Sequence, residues 1–523
     1  MSINLQSDLP ITLDTNVSSL LPVSSWPLNL HIIVPYMSAF YKSYLEETVY
    51  FSDPDIRDVL LLGRRPNQTL ALIELALLTN AAQNLGQKLI GPKIVDYFTG
   101  KTDEIPITFS SLNNSIKAPS LLWGRRLVRT ASWTPYYRLP KTILRPDAIS
   151  LTHNSLLRSL LPTVSDNVRN GYDVDFVKTN GKRDEIFYKK IDVSGLSIHL
   201  ESKLTANLPL SPEIHLRLSK ILRKIFQESY QDATNLLSSL RVSRDIPKKI
   251  YTGTGNKKIS RALGLEVLRR EGEAIRCDHG GSISLLHPPE YVALNELSVS
   301  SKFVVATQNA ASLPEINDAI LKTKPIRKCS IESASGDPGL DVGRFAFTKA
   351  KKNNHRRRIM YVPSLFYGIN QASPPVLGGP QYMAWQERLI TLLRSFQIDL
   401  LCQPHPGGQK PPRNLNPARD IPIPNEKFEK AIALADILIY DFPATTTLAV
   451  GLCSDRAIVL LDHGTMRFNA SIISEIEKRC TLLTCNYDEY NIPDISRDIL
   501  ENAICEMPIY ADPEYFRSLF IGK

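Results

Sequence analysis

The 523-residue chain lacks any C-x-x-C pair. Its seven cysteines (277, 329, 402, 453, 480, 485 and 505) are odd in number and scattered, which excludes a disulfide framework or a thiolate zinc site. They read as buried thiols of a reducing compartment. No apolar run approaches the ~18 residues that a membrane span needs. The opening stretch, MSINLQSDLPITLDTN, has no basic segment followed by an apolar one, so no secretion signal is expected. The expected location is cytoplasmic, with at most peripheral contact at the inner face of the cell membrane. A G-x-S-x-G elbow is absent, and no His, Cys, Asp and Glu spacing suggests a metal site, so no metal or cofactor is expected. Acidic residues fall short of basic ones, 53 against 62, for a net charge of +9. That suits an anionic ligand but is mild for nucleic acid, and aromatics do not interleave with the basic runs.

The composition, 43% hydrophobic and 22% charged, belongs to a globular chain. Its length exceeds one ordinary core and implies two large lobes. The later part alternates cleanly. RIMYVP, IDLLCQ, DILIYD, RAIVLLD and CTLLTC read as strands, and QYMAWQERLITLLRSF, EKFEKAIALA, TTTLAVGLC, ASIISEIEKR and SRDILENAICEM as helices. An upstream run, KKIYTG to LPEINDAILKT, repeats that pattern. Alternation of this kind implies parallel sheets covered on both faces. VLLLGRR and KLIGPKIVDYF are expected as strands of the first lobe, and residues 211–240 as a long amphipathic helix. The expected organisation is an N-terminal lobe over 1–325 with a helical insertion at about 105–240, and a charged linker over 326–357. A second lobe follows over 358–505, and then a tail, 506–523, packing back on the first. The fold class is thus α/β, with two Rossmann-like, doubly wound lobes facing a cleft.

Ligands of open α/β sheets bind outside the carboxyl ends of strands, and four polar loops fall there. In YTGTGNKKIS, Gly253 and Gly255 leave backbone amides accessible before a helix N-terminus, and an ordinary tight turn fits equally well. CDHGGS sets Asp278 and His279 beside two glycines. Asp278 would accept a proton from an acceptor hydroxyl while His279 orients the substrate, or the roles are reversed. In CQPHPGG, Pro404 and Pro406 stiffen the backbone around His405, and Gly407 and Gly408 bare it. A histidine so held can donate to a phosphate oxygen. YDFPATTTLAVGL follows Asp441 with Thr445, Thr446 and Thr447, more hydroxyls at a helix start than one cap requires. His463 and Arg467, in LDHGTMRFN, fall at the next strand end and are candidates to line the same cleft.

These loops in this order resemble a GT-B-type glycosyltransferase, and more narrowly bacterial transferases for surface carbohydrates. The resemblance rests on GTGNKKISRALGLEVLRREGEAIRCDHGG, YMAWQERL, QPHPGG, DILIYDFPATTTLAV and RCTLLTCNYDEYN, and covers roughly Lys248 to Gly522. It is also similar to sialyl-, polysialyl- and Kdo-transferases, which use CMP-activated sugars. These carry a His-Pro motif and a Ser-Ser/Thr motif against the donor phosphate. His405-Pro406 matches the first, Thr445–Thr447 stand where the second falls, and Asp278 stands where an acidic base does. Threonines replace the Ser-led pair, and DHGG differs from the acidic-acidic-Gly motif of polysialyltransferases, which leaves the donor open.

The resemblance implies a metal-independent transferase with a nucleotide-sugar donor, CMP-linked and with a nonulosonic acid as one candidate sugar. The acceptor would be a glycan or a lipid-linked one. Asp278 and His279 would be catalytic. Gly253, Gly255, His405, Pro406, Gly407, Asp441 and Thr445–Thr447 would bind the donor. Two other readings are a polyol-phosphate transferase with a CDP-activated donor, and a non-catalytic nucleotide- or glycan-binding protein.

Overall fold

In a computed structural model the alternating runs form two parallel sheets. It describes residues 11–13, 23, 25–106, 119–171, 191–253, 257–342, 356–366, 376–405, 416–506, 508 and 511–522. The first sheet has six strands: β1 (Ala148–Thr152), β2 (Val168–Asn170), β3 (Lys249–Thr252), β4 (Glu273–Cys277), β5 (Lys302–Val305) and β6 (Ser330–Ser333). Their spatial order is β2-β1-β3-β4-β5-β6, all neighbours parallel. The second has β7 (Arg357–Val362), β8 (Ile398–Cys402), β9 (Ile437–Tyr440), β10 (Ala457–Asp462) and β11 (Thr481–Thr484). Its order, β8-β7-β9-β10-β11, repeats the first and is again parallel. In each sheet the chain runs outward on one side and then returns to the other. The reversals fall between β1 and β3 and between β7 and β9, where such sheets open a crevice. All four residues of β9 are buried, as a strand covered on both faces requires.

Helices cover the first sheet. The helix Pro212–Arg241 starts where Ser211 Oγ accepts from the Ile214 amide, with Pro212 in its first turn. Ile214, Leu218, Ile221, Leu222, Ile225 and Phe226 recur at helical spacing and are buried. Around it pack Leu30–Tyr50, Pro54–Gly63 and Pro66–Asn84, tied partly by the Tyr44 and Tyr230 hydroxyls 3.2 Å apart.

Several elements differ from the sequence expectation. VLLLG is helix, within Pro54–Gly63, not strand. Asp53 caps it by accepting from the Asp55 amide at 2.7 Å, and Asp58 to Gly63 are all buried. A helix enclosed on every side needs no polar face, so its apolar run imitates a strand. KLIGPKIVDYF yields the two-residue strand Leu89–Ile90, paired with Ile11–Thr12 outside both large sheets, and the helix Lys93–Phe98. The stretch 105–240 is not wholly helical, because β1 and β2 of the main sheet lie inside it. Likewise β6 lies inside the expected linker, its register fixed by pairing with β5. EKFEKAIALA gives only the short helical turns Phe428–Ala431 and Ile432–Leu434.

The sheets meet through side chains and one late helix. Asn469 Nδ2 donates to the Ile283 and Ser284 carbonyls at 3.1 and 3.0 Å, and Ser471 donates to Glu315. The helix Glu514–Phe520 touches both lobes. Cys453 donates to the Phe516 carbonyl, while Thr307 Oγ1 donates to Leu519 and the Asp337 amide to Phe520, at 2.6 and 2.8 Å. Among the described residues no helix is long and apolar enough to cross a membrane.

Candidate functional site

β4 ends at Cys277, but the Asp278 amide still donates to the Val304 carbonyl of β5 at 2.8 Å, so Asp278 is held in the sheet. Gly280 and Gly281 then adopt φ of 67° and 73° and turn the chain into the short helix Ser282–Leu285. Those left-handed angles are what glycine tolerates best. Asp278 is only 3% exposed, and its Oδ1 has no hydrogen-bond partner among the described residues. Burial pushes its pKa up to about 7, helped by the charges of Asp337 and Glu296 and opposed by a hydrogen bond from the His279 amide. His279 itself is exposed.

Asn154, just beyond β1, ties three strand ends together. Its Nδ2 donates to the Gly253 carbonyl at 2.5 Å and to the Asp278 carbonyl at 2.7 Å, while its Oδ1 accepts from Leu157 N. A β-carbon on Gly253 would lie 2.7 Å from the Asn154 amide nitrogen. The glycine is thus needed for backbone packing at the β1/β3 reversal. Gly255 lies outside the described residues. Beyond β6, Asp337 is also buried, its carboxyl raised by burial, with Oδ1 accepting from Gly339 N at 2.9 Å.

From the second sheet come His405 and the threonines. His405 stands three residues past the end of β8, and partial burial lowers its pKa. Pro406 and Gly407 lie outside the described residues. The three hydroxyls do not act alike. Thr445 Oγ1 caps the helix Thr446–Leu452, accepting from Leu448 N at 3.2 Å, and shares a 2.8 Å hydrogen bond with Thr447 Oγ1. Thr446 is exposed and lies against Gly280 of the other lobe.

A cavity of about 160 Å³ lies between the lobes, lined by His279 and Ser282 on one side and by His405, Phe442, Thr445 and Thr446 on the other. Whole small-molecule sites occupy roughly 300–1,000 Å³, so this space is smaller than a complete ligand site. Larger hollows, about 500 Å³ by Arg244 and about 680 Å³ by Arg497, are open depressions away from these loops.

Asp441 is turned inward instead of lining this cavity. Its carboxylate accepts from the Tyr361 hydroxyl, the Tyr382 hydroxyl at 3.0 Å, Trp385 Nε1 at 3.3 Å and the Ser364 amide at 3.0 Å. Burial pushes the carboxyl up against the pull of those four donors. It holds the β7/β9 reversal together, since Tyr361 and Ser364 belong to β7 and the turn after it. His463 is likewise buried behind the cavity, edge-on to Trp385 at 4.7 Å, and burial drives its pKa down to about 3. Neither it nor Arg467 lines the space.

His279, His405, Thr445 and Thr446 are therefore brought to one cleft, with Asp278 buried one residue before His279 and outside the lining, while Gly253 and Asp441 serve the backbone behind it. Sequence reasoning missed Asn154, Ser282 and Asp337. Asn154 carried a local signal as the cap of Ser155–Leu160, but nothing there announced its partners 99 and 124 residues away. Among the described residues no group of three His, Cys, Asp or Glu side chains could hold a metal ion. No protein-family model, curated protein or solved structure matches this chain.

Proposed function

We propose that this protein is a GT-B-type glycosyltransferase that moves a sugar from a CMP-activated donor to a glycan acceptor without a metal ion. The observation that carries the reading is the pairing across one cleft. His279 lines the cavity opposite His405, Thr445 and Thr446, and the buried acid directly before His279, Asp278, has an oxygen with no partner among the described residues. The acid and His279 suit proton removal, and the groups opposite suit a departing phosphate.

In this reading the acceptor hydroxyl becomes the partner that Asp278 Oδ1 lacks and gives up its proton there. The acceptor oxygen bonds to the anomeric carbon as that carbon's bond to the donor phosphate oxygen breaks, and the electron pair leaves with CMP. His405 and the Thr446 hydroxyl donate to that phosphate as its charge grows, and His279 orients the acceptor. One preorganised donor of this kind is worth about 3–4 kcal/mol of barrier.

A thermal-shift panel of CMP, CDP, UDP and GDP tests the assignment. A nucleotide present at a hundred times its Kd stabilises the native state by about 2.7 kcal/mol. CMP should give the largest shift, and a clear preference for UDP or GDP would sink the CMP donor. Phosphorus recovered in the product would identify a polyol-phosphate transferase instead.

A further inference from the structure

We infer that the surface from Gly124 to Arg145, on the outer edge of the first sheet, docks on an anionic lipid bilayer. The helix Pro119–Trp133 is fastened by one side only. Thr130 Oγ1 accepts from the Asn170 amide at 3.0 Å, and Trp133 Nε1 donates to the Val168 carbonyl at 2.9 Å, both on the edge strand β2. Several side chains of this segment that ordinarily avoid water face outward. Val128 is 72% exposed, Tyr136 87%, Tyr137 66% and Leu144 78%. With Leu127, five of the seventeen exposed large hydrophobics among the described residues fall in this one stretch. Scattered singly such residues need no explanation, whereas a cluster marks an interaction surface.

Charge selects the occupant. Between Glu104 and Asp147 the sequence has no acidic residue, and Arg125, Arg126, Arg129, Arg138, Lys141 and Arg145 stand among the apolar side chains. Arg125, Arg129, Lys141 and Arg145 are exposed. Bases at headgroup level with aliphatic and tyrosine side chains between them are the chemistry of an interfacial membrane contact. A single-stranded nucleic acid would want flat stacking faces in a groove, but three of the five apolar groups are aliphatic. The inference stands whether or not the transferase reading holds.

Co-sedimentation of the full chain tests it, with vesicles of phosphatidylcholine alone or mixed with an equal part of phosphatidylglycerol. Binding should require phosphatidylglycerol and be released by added salt. Each base near the surface is worth about fivefold in affinity, so Arg129→Gln with Arg145→Gln should weaken binding about 25-fold. Val128→Ser with Tyr136→Ser should weaken it too, through lost apolar contact. Lys220→Gln with Arg394→Gln removes the same charge at exposed positions elsewhere and should bind like the parent. Equal binding to both vesicle types, no binding to either, or equal losses in the control pair would overturn the inference. So would capture of single-stranded RNA by this surface with no vesicle binding. A variant that fails to fold is replaced by the salt titration of the parent chain, in which insensitivity to salt counts against the proposal.

Discussion

Thr446 stands so close to Gly280 that a β-carbon on the glycine would lie 2.5 Å from the threonine hydroxyl oxygen, although the two residues belong to different sheets. The width of the cleft is fixed at this point, and a glycine without a side chain is what permits it.

Gly280→Ala should therefore be costlier than Gly86→Ala, which shares its left-handed backbone, φ 67° against 68°, but has nothing within 4 Å. Both carry the strain of about 1–2 kcal/mol for a β-carbon in that region. Only Gly280→Ala adds overpacking of about 1–3 kcal/mol. Denaturant unfolding of the two variants measures the difference. Adding Thr446→Ala to Gly280→Ala should return part of the loss, and a cycle with no coupling would show that the contact does not constrain the lobes.

In the proposed mechanism Asp278 ties activity to pH and to stability in opposite directions. Its folded pKa is raised from 3.8 to about 7, so the folded state favours the neutral carboxyl. The stability this group contributes is complete below about pH 4 and is lost as pH rises toward about 7, by about 4 kcal/mol at most. A general base must be ionised, so turnover should rise through the same window. Asp278→Asn should lower turnover by ~10²–10⁴-fold, leave CMP affinity nearly unchanged, and unfold at higher denaturant than the parent at pH 8. If His279→Ala loses turnover to that degree and Asp278→Asn does not, the two roles are exchanged.

His405→Ala should weaken CMP binding as well as turnover, by the roughly 1.5–3 kcal/mol of a charge-assisted hydrogen bond. Burial lowers the His405 pKa, so at neutral pH its ring is largely uncharged. CMP affinity of the parent should accordingly increase as pH falls below the ordinary histidine range. Calorimetry across that range is the check, and a flat profile in both proteins would remove His405 from the phosphate.

Asp441→Ala leaves two tyrosine hydroxyls, an indole N–H and the Ser364 amide without their shared acceptor in a buried site. The expected cost is about 1–3 kcal/mol of folding stability for each donor left unsatisfied, with CMP affinity of the remaining folded protein little changed. A variant as stable as the parent but unable to bind nucleotide would return Asp441 to the donor site.

In the proposed mechanism chelation should leave turnover intact, because a histidine and hydroxyl donors would supply the electrostatic stabilisation that a metal otherwise gives. Loss with EDTA and recovery with magnesium or manganese would refute this.

What the sequence showed and concealed follows from the range of each interaction. β7 to β11 were legible because each is a short apolar run bounded by turn residues, and parallel burial makes such runs continuous. Val59–Leu62 misled for the same reason, since a helix buried all round also reads as a continuous apolar run. The loops that carry His279, His405 and Thr446 stood out through their unusual residue pairs. The inward turn of Asp441 was not legible, because nothing local to it shows that Tyr361, Tyr382 and Trp385 aim at one carboxylate. Among the threonines, only folding against Gly280 separates Thr446 from its two neighbours.

The helix Glu514–Phe520 gives the molecule an order of assembly in time. Phe520 packs against Gly281, its carbonyl receives the Asp337 amide, and Ile521 fits over Gly336, all in loops of the lobe that is synthesised first. On the ribosome, the acid-bearing half of the cleft thus waits for residues made after the whole second sheet. Until those residues are made, Gly281 and Gly336 lack the Phe520 and Ile521 packing that closes over them.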